Sequence, residues 1–303
     1  MMQSINIWIS AMRLRTLPLS IAGVVLASCF AYYNSAFSWE IFSLAILTTV
    51  SFQILSNLAN DYGDGLKGTD NNERIGPERA LQSGKISSEE LLNGIKLNIV
   101  ISIGLAITLI HSAFGVKHFY FTLFFFVLGI GAIIAAIRYT MGTNAYGYKG
   151  LGDVFVFVFF GFVSVIGSYV LYTKKLDHVT FLPAFTIGLL STAVLNLNNM
   201  RDRLTDEKSR KFTLAVKLGE AKVKIYHNML VVGAIVFSGL FGLLYFTSIY
   251  NLIFCVTYIP LLLHLKRVNK ITDPKLFDPE LKKLALTTVL IATLMGIGHL
   301  LPF

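Results

Sequence analysis

Asn57-Leu58-Ala59-Asn60-Asp61-Tyr62-Gly63-Asp64 decides how this chain is read, because it sets two carboxylates and two carboxamides at the end of an otherwise apolar segment. A second segment, Asn198-Asn199-Met200-Arg201-Asp202-Arg203-Leu204-Thr205-Asp206, ends in the same way. Ionisable groups at the mouth of a membrane helix are expensive to place there and mark a site more often than an accident of structure. Two such clusters point to one shared metal site.

The surrounding stretches are membrane-spanning. Of the 303 residues, 54% are hydrophobic and only 14% charged, and the mean hydropathy is +0.66, outside the range of a soluble domain of this length. Apolar runs long enough to cross about 30 Å of hydrocarbon as helix lie near 17–36, 40–60, 96–114, 119–138, 153–173, 179–199, 229–246, 247–265 and 285–303, with the turn near Ser248 the hardest boundary to place. They imply an all-α membrane protein of about nine transmembrane helices. Arg13 and Arg15 precede the first run and no small-residue cleavage site follows it, so it reads as a retained helix and not a signal peptide. Cys29 and Cys255 lie inside apolar runs, where a thiol behaves as a small hydrophobe, and neither a disulfide nor a metal role is expected of them.

Lysine and arginine orient the chain. With these spans, all but three of the 26 basic residues fall at the N-terminus or in the connections 2–3, 4–5, 6–7 and 8–9; the opposite side keeps Lys117, Lys174 and Lys175. The positive-inside rule then puts the N-terminus and both acidic clusters in the cytoplasm. Topology and attraction to the anionic lipid bilayer account for the net charge of +9, and no nucleic acid partner is expected. Two polar segments, about 61–92 and 200–226, are long, and four spans separate the clusters, so both lie on one face and can meet. The pattern resembles a parallel repeat with Asp61 and Asp202 as equivalents, a layout that commonly frames a central site. Ser87-Ser88-Glu89-Glu90 has the form of a capping box, and the two segments are expected to fold as short cytoplasmic cap helices on a single domain, 1–303.

On helices, Asn57, Asp61 and Asp64 form one stripe and Asn198, Asp202 and Asp206 another. Four facing carboxylates repel and raise each other's pKa, so positive charge must sit between them. Oxygen ligands without nearby His or Cys select a hard cation such as Mg2+, whose coordination is completed by water and phosphate. The plainer alternative is that each carboxylate pairs with a neighbouring Arg or Lys at the headgroup level. Lys67, Arg74, Arg79, Lys85, Arg201, Lys208, Arg210 and Lys211 surround the clusters, enough donors to hold a diphosphate; most of them equally serve topology.

These residues resemble a family. Asn57-x-x-Asn60-Asp61-x-x-Asp64 and Asn199-x-x-Asp202-x-x-x-Asp206 are similar to the paired aspartate motifs of the UbiA superfamily of intramembrane aromatic prenyltransferases. Arg13-Leu14-Arg15-Thr16-Leu17-Pro18, the stretch Arg79 to Ser87, Tyr146-Gly147-Tyr148-Lys149-Gly150-Leu151-Gly152-Asp153 with the following Val-Phe-Val-Phe, and Thr213 to Gly219 narrow the resemblance to the menaquinone-pathway branch. It runs from about residue 6 to 230. Gly68 stands where the hydroxybenzoate branch has a third Asp, Asp70 follows two positions later, and Leu14 replaces a usual proline.

The resemblance implies a UbiA-like bundle around a central cavity in the cell inner membrane. It implies Mg2+, two ions, held by Asp61, Asp64, Asp202 and Asp206, with Asn57 and Asn198 as further ligands and Asn60 and Asn199 beside them. The donor would be a polyprenyl diphosphate bound by some of Lys67, Arg79, Lys85, Arg201, Lys208 and Lys211; the acceptor would be 1,4-dihydroxy-2-naphthoate, prenylated with loss of CO2 on the way to demethylmenaquinone. Tyr139, Tyr146 and Tyr148 would face an allylic cation. Arg138, or in competition Lys149, would take the acceptor carboxylate. Rival readings are a superfamily enzyme for 4-hydroxybenzoate, haem or a chlorin, a cation-coupled transporter, and a lipid diphosphate hydrolase. Carboxylates at helix ends rather than the midplane argue against the transporter.

Overall fold

The computed structural model describes residues 2–71 and 74–301. The chain is helical: α1 (Met2–Met12), α2 (Leu17–Tyr33), α3 (Trp39–Leu66), α4 (Ser88–Phe114), α5 (Phe119–Arg138), α6 (Gly152–Thr173), α7 (Phe181–Arg201), α8 (Arg203–Lys208), α9 (Leu214–Leu244), α10 (Ile249–Val268) and α11 (Phe277–Leu300). Among the described residues, nine helical segments are long and apolar enough to cross a membrane, one of them joining α1 to α2. The expected nine spans are present, and Ser248 stands at the turn before α10.

Local chemistry sets the ends. Ser38 accepts from the Ile41 amide to start α3, and Ser87 and Glu90 form the reciprocal capping box of α4. α3 continues to Leu66, past the expected end at residue 60, so Asp61 and Asp64 are helical and share a stripe with Asn57. The cap is simpler than expected. Among the described residues, the segment after α3 contains turns and no helix up to Ser87, because Gly68 and Gly84 take positive φ and Gly76-Pro77 interrupts any helical run. The second segment does hold short helix: α8, then a first turn of α9 that breaks at Gly219 (φ 72°, ψ 176°).

α7 is the axis of one half. It packs on α6, α9 and α11, and Ile187, Leu190, Ala193 and Leu197 have no exposed surface. α6 and α7 meet backbone to backbone: a Cβ on Gly161 would lie 2.6 Å from the Ala184 carbonyl oxygen, the small-residue contact that lets membrane helices pack without a solvent-driven term. The second half is α3, α4 and α5, held by Leu55, Leu58, Leu91, Ile95 and Ile133. Tyr120, Phe124 and Val127 of α5 face outward, as lipid-facing residues should. Between the halves lies a central cavity.

Candidate active site

The cavity encloses about 1050 Å3 and changes character along its length. At one end it is lined by Asp61, Asp64, Arg79, Asn198, Arg201 and Lys211; at the other by Ala45, Leu109, Phe125, Gly167 and Leu171. α6 widens into π-helical turns over Phe157–Gly167, a form that often accompanies function, and these turns give the cavity Phe159, Phe160 and Val163.

The two acidic clusters meet. Lys211 bridges them, its Nζ lying 3.2 Å from Asp64 and 3.7 Å from Asp206. Arg79 extends the network from Asp64 (3.4 Å) to Asp70 (3.1 Å); Arg74 pairs with Asp70 and lies 3.9 Å from Asp202. Arg201 holds Asp202 through Nε (2.9 Å) and Nη2 (2.7 Å) and also pairs with Asp278 at the start of α11. Asp61 accepts from the backbone amides of Ala80 (3.2 Å) and Leu81 (3.4 Å), which pins the loop after α3 under the cluster.

Burial and charge set the proton affinities beyond the helix ends. Burial pushes the Asp206 carboxyl up to about 7; Lys211 opposes this at 3.7 Å, while Asp202 and Asp64 add to it. Burial also works to raise Asp202, but its hydrogen bonds and ion pair with Arg201 outweigh that and hold it below the usual carboxylate range. Lys211 behaves in the mirror sense: burial disfavours its charge, yet Asp64 and Asp206 hold its pKa above the ordinary ammonium value.

The aromatic wall comes from the α5–α6 connection. Thr140 donates to the Ala59 carbonyl (2.9 Å), and Gly63 makes the crossing possible, since a Cβ there would lie 2.7 Å from the Thr140 backbone. This seats Tyr148, whose hydroxyl donates to Asp64 (2.8 Å) and shares a hydrogen bond with Thr69 (2.6 Å). Tyr146 stacks on Phe155 at 3.9 Å and meets Tyr139 edge-on, both tyrosines lining the cavity.

Other expected residues have partners of their own or lie at the surface. The Asn57 Oδ1 accepts from Gln53 (3.3 Å) while its Nδ2 donates to Met12 and Thr16, and the Asn198 Oδ1 accepts from Arg201 (2.8 Å). Both carboxamides thus position neighbours in this structure. Asn60 and Asn199 line the cavity, Asn60 accepting from Thr140 (3.3 Å). Arg138 ends α5 exposed and outside the cavity lining, and exposed Lys149 bonds to Asn144 (3.1 Å). Lys85 pairs with Glu78 at the surface, Lys208 is exposed on α8, and exposed Lys67 bonds to the Thr140 carbonyl beside the Tyr148 ring. These are charges of the polar face, which sequence spacing does not separate from inward ones.

Other residues belong to the site unannounced. Arg13 lines the cavity, holds a left-handed backbone (φ 50°, ψ 56°) uncommon for a non-glycine residue, and buries its Nη2 without a hydrogen-bond partner; Arg74 Nε and Arg79 Nη1 are also buried and unpartnered. Buried orphan guanidinium donors are rare unless an anion completes them. Arg13 sits in a quoted motif but carries no sign distinguishing it from topological charge, and Asp278 resembles any acidic residue of a first helical turn.

The donor set suits Mg2+. Among the described residues no three acidic, His or Cys side chains are grouped as a self-sufficient metal site, and the carboxylates share Lys211, Arg79 and Arg201 instead. Mg2+ commonly takes one or two protein carboxylates and completes its shell with water and phosphate, so these oxygen donors beside phosphate-seeking guanidinium groups fit it.

The chain is 40% identical over 301 residues to the 1,4-dihydroxy-2-naphthoate octaprenyltransferase of Haemophilus influenzae, covering 99% of this chain and 97% of that one. It is 38% identical over 293 residues to the protein of the same name from Escherichia coli, covering 96% and 94%. In fold it matches a UbiA homolog from Archaeoglobus fulgidus, solved bound to DMAPP and Mg2+, with a TM-score of 0.68 at 12% identity over 97% of this chain and 99% of that one. The family model described as the UbiA prenyltransferase family matches residues 21–295, and with relatives this similar along nearly its whole length the chain belongs to that family.

Proposed function

We infer that the chain transfers a polyprenyl group from polyprenyl diphosphate to 1,4-dihydroxy-2-naphthoate with loss of CO2, the prenylation step toward demethylmenaquinone. The names of relatives that align over nearly the whole chain support the acceptor. The observation that carries the chemistry is the Asp64–Lys211–Asp206 bridge at the end of an apolar cavity large enough for an isoprenoid.

In this reading Asp61 and Asp64 would hold one Mg2+ and Asp202 and Asp206 a second, and the bound metal would supply positive charge to the oxygens of the leaving diphosphate. Lys211 and Arg79 turn from the carboxylates to the diphosphate, and the unpartnered donors of Arg79 and Arg74 gain the anion they lack. The allylic C–O bond breaks, diphosphate takes the bonding pair, and the acceptor ring carbon bearing the carboxylate supplies the electrons of the new C–C bond. Carbon dioxide then departs, leaving its bonding pair to restore the aromatic ring. Tyr139, Tyr146 and Phe155 flank the allylic carbon and keep water away. Arg13 takes the acceptor carboxylate, in place of the exposed Arg138.

The N-terminus and both acidic clusters face the cytoplasm of the cell inner membrane, a placement supported by the side-to-side excess of lysine and arginine. The test is to incubate membranes containing the protein with Mg2+, radiolabelled polyprenyl diphosphate and 1,4-dihydroxy-2-naphthoate, using Asp61→Asn and Asp202→Asn as controls. A prenylated, decarboxylated product lost in both variants is expected. Turnover only with another aromatic acceptor would overturn the acceptor, and unchanged turnover in both variants would overturn the site.

A further inference from the structure

Away from the main cavity, α9, α10 and α11 enclose a buried polar chain. His227 and His264 meet through their Nε2 atoms (3.0 Å), the His264 Nδ1 faces Glu280 (2.8 Å), and Glu280 also binds Arg267 Nε (2.8 Å) and Lys283 Nζ (2.7 Å). Glu280 and both histidines are buried, whereas the Arg267 and Lys283 side chains are 44% and 53% exposed. One carboxylate therefore anchors two cations that still face outward. Beneath them a groove of about 260 Å3 runs between α10 and α11, floored by Leu261 and Leu284 and continued by Pro260, Leu286 and Thr287.

The flanks of the groove face lipid, for Ile259, Leu262, Leu263 and Leu290 are all exposed on these spanning helices. Its charged end lies toward the same polar face as the active site, since α11 begins with Asp278 on Arg201. A fixed pair of cations at headgroup depth above an apolar track matches an amphiphile with an anionic head. Because Arg267 uses Nε on Glu280, its terminal nitrogens are left to present a forked pair of donors to a phosphate.

We propose that an anionic glycerophospholipid binds this groove, its phosphate on Arg267 and Lys283 and an acyl chain along Pro260, Leu286 and Thr287. The lipid braces the active site from behind. The Asp278, Leu281 and Ala285 side of α11 lines the catalytic cavity, Lys283, Leu284 and Thr287 line the groove, and Leu286 reaches both.

Native mass spectrometry of the full chain in neutral detergent tests this with three probes: phosphatidylglycerol, phosphatidylcholine with the same acyl chains, and inorganic phosphate. Phosphatidylglycerol is expected to stay bound, phosphatidylcholine to leave, and millimolar phosphate not to compete. The Arg267→Gln/Lys283→Gln pair is expected to weaken phosphatidylglycerol binding about thirtyfold. Thr287→Trp, which fills the track and keeps both charges, should weaken it as well, guarding against a variant that merely misfolds. Equal retention by wild type and both variants, or displacement by free phosphate, would overturn the proposal. Binding is read without turnover, so a wrong acceptor assignment would leave this result untouched.

Discussion

Replacing Lys211 by Met removes a cation that bridges Asp64 of one acidic cluster and Asp206 of the other, and the structure sets the size of the effect. Asp64 keeps Arg79 and the Tyr148 hydroxyl, but Asp206 loses the partner that opposes its burial. Breaking a buried pair by deleting one partner costs about 3–5 kcal/mol. Because Asp206, already pushed up to about 7, can take a proton, the loss should fall at the low end, about 3 kcal/mol. Without metal the variant should melt at least about 5 °C lower. Toward Mg2+ the variant has the advantage: the wild type must displace Lys211 from the carboxylates, and the variant need not. Mg2+ titration followed by thermal shift should show about tenfold tighter apparent binding in the variant, matching about 1.4 kcal/mol of released competition. In the proposed mechanism Lys211 is also a diphosphate partner, so the donor KM should rise about tenfold or more, as loss of a charged hydrogen bond requires. A Mg2+ affinity that is unchanged or weaker in the variant would refute the idea that Lys211 holds the metal's place.

In the proposed site Mg2+ must expel the proton that the Asp206 carboxyl, pushed up to about 7, keeps below that pH. Apparent Mg2+ affinity should fall by about tenfold per pH unit below 7 and level off above it; calorimetry in buffers of different ionisation enthalpy would detect the released proton, and Asp206→Asn should abolish that release. Tyr148→Phe removes the hydroxyl between Asp64 and Thr69 and should cost about 1–2 kcal/mol of stability, seen as a lower melting temperature with the overall fold unchanged by circular dichroism. Arg13→Gln should raise the acceptor KM about tenfold to a hundredfold, the worth of a charged hydrogen bond, with a smaller effect on the donor, whereas Arg138→Ala should leave both within about twofold because its side chain lies outside the cavity; steady-state kinetics on both substrates decide.

Much of this was legible in residue order. Long apolar runs identify spans because a bilayer leaves an exposed backbone no alternative to helix, and polar clusters at their ends stand out against that background. The meeting of the clusters followed from parity, since an even number of crossings returns the chain to one face. What stayed hidden was direction. Arg138 and Arg13 are both arginines at a span end, and only packing shows that the first turns out over Gly142 while the second turns in. The carboxamide oxygens of Asn57 and Asn198 fit a ligand stripe by spacing, which says nothing of the hydrogen bonds they accept from Gln53 and Arg201. Asp278 lies 72 positions beyond Asp206 in the chain, and local pattern carries no information about a contact of that length.

The ion pair between Arg201 and Asp278 has a bearing on biogenesis. The N-terminal part of a chain is made first, and among the described residues Arg13 belongs to the first span while Asp278 lies near the start of the ninth. A ribosome-bound chain that has inserted α7 already presents its acidic ends but lacks the last wall of the chamber, and a carbocation generated there would meet water. In the proposed mechanism the chamber is complete only once α11 has joined it, so the onset of chemistry would wait for that helix.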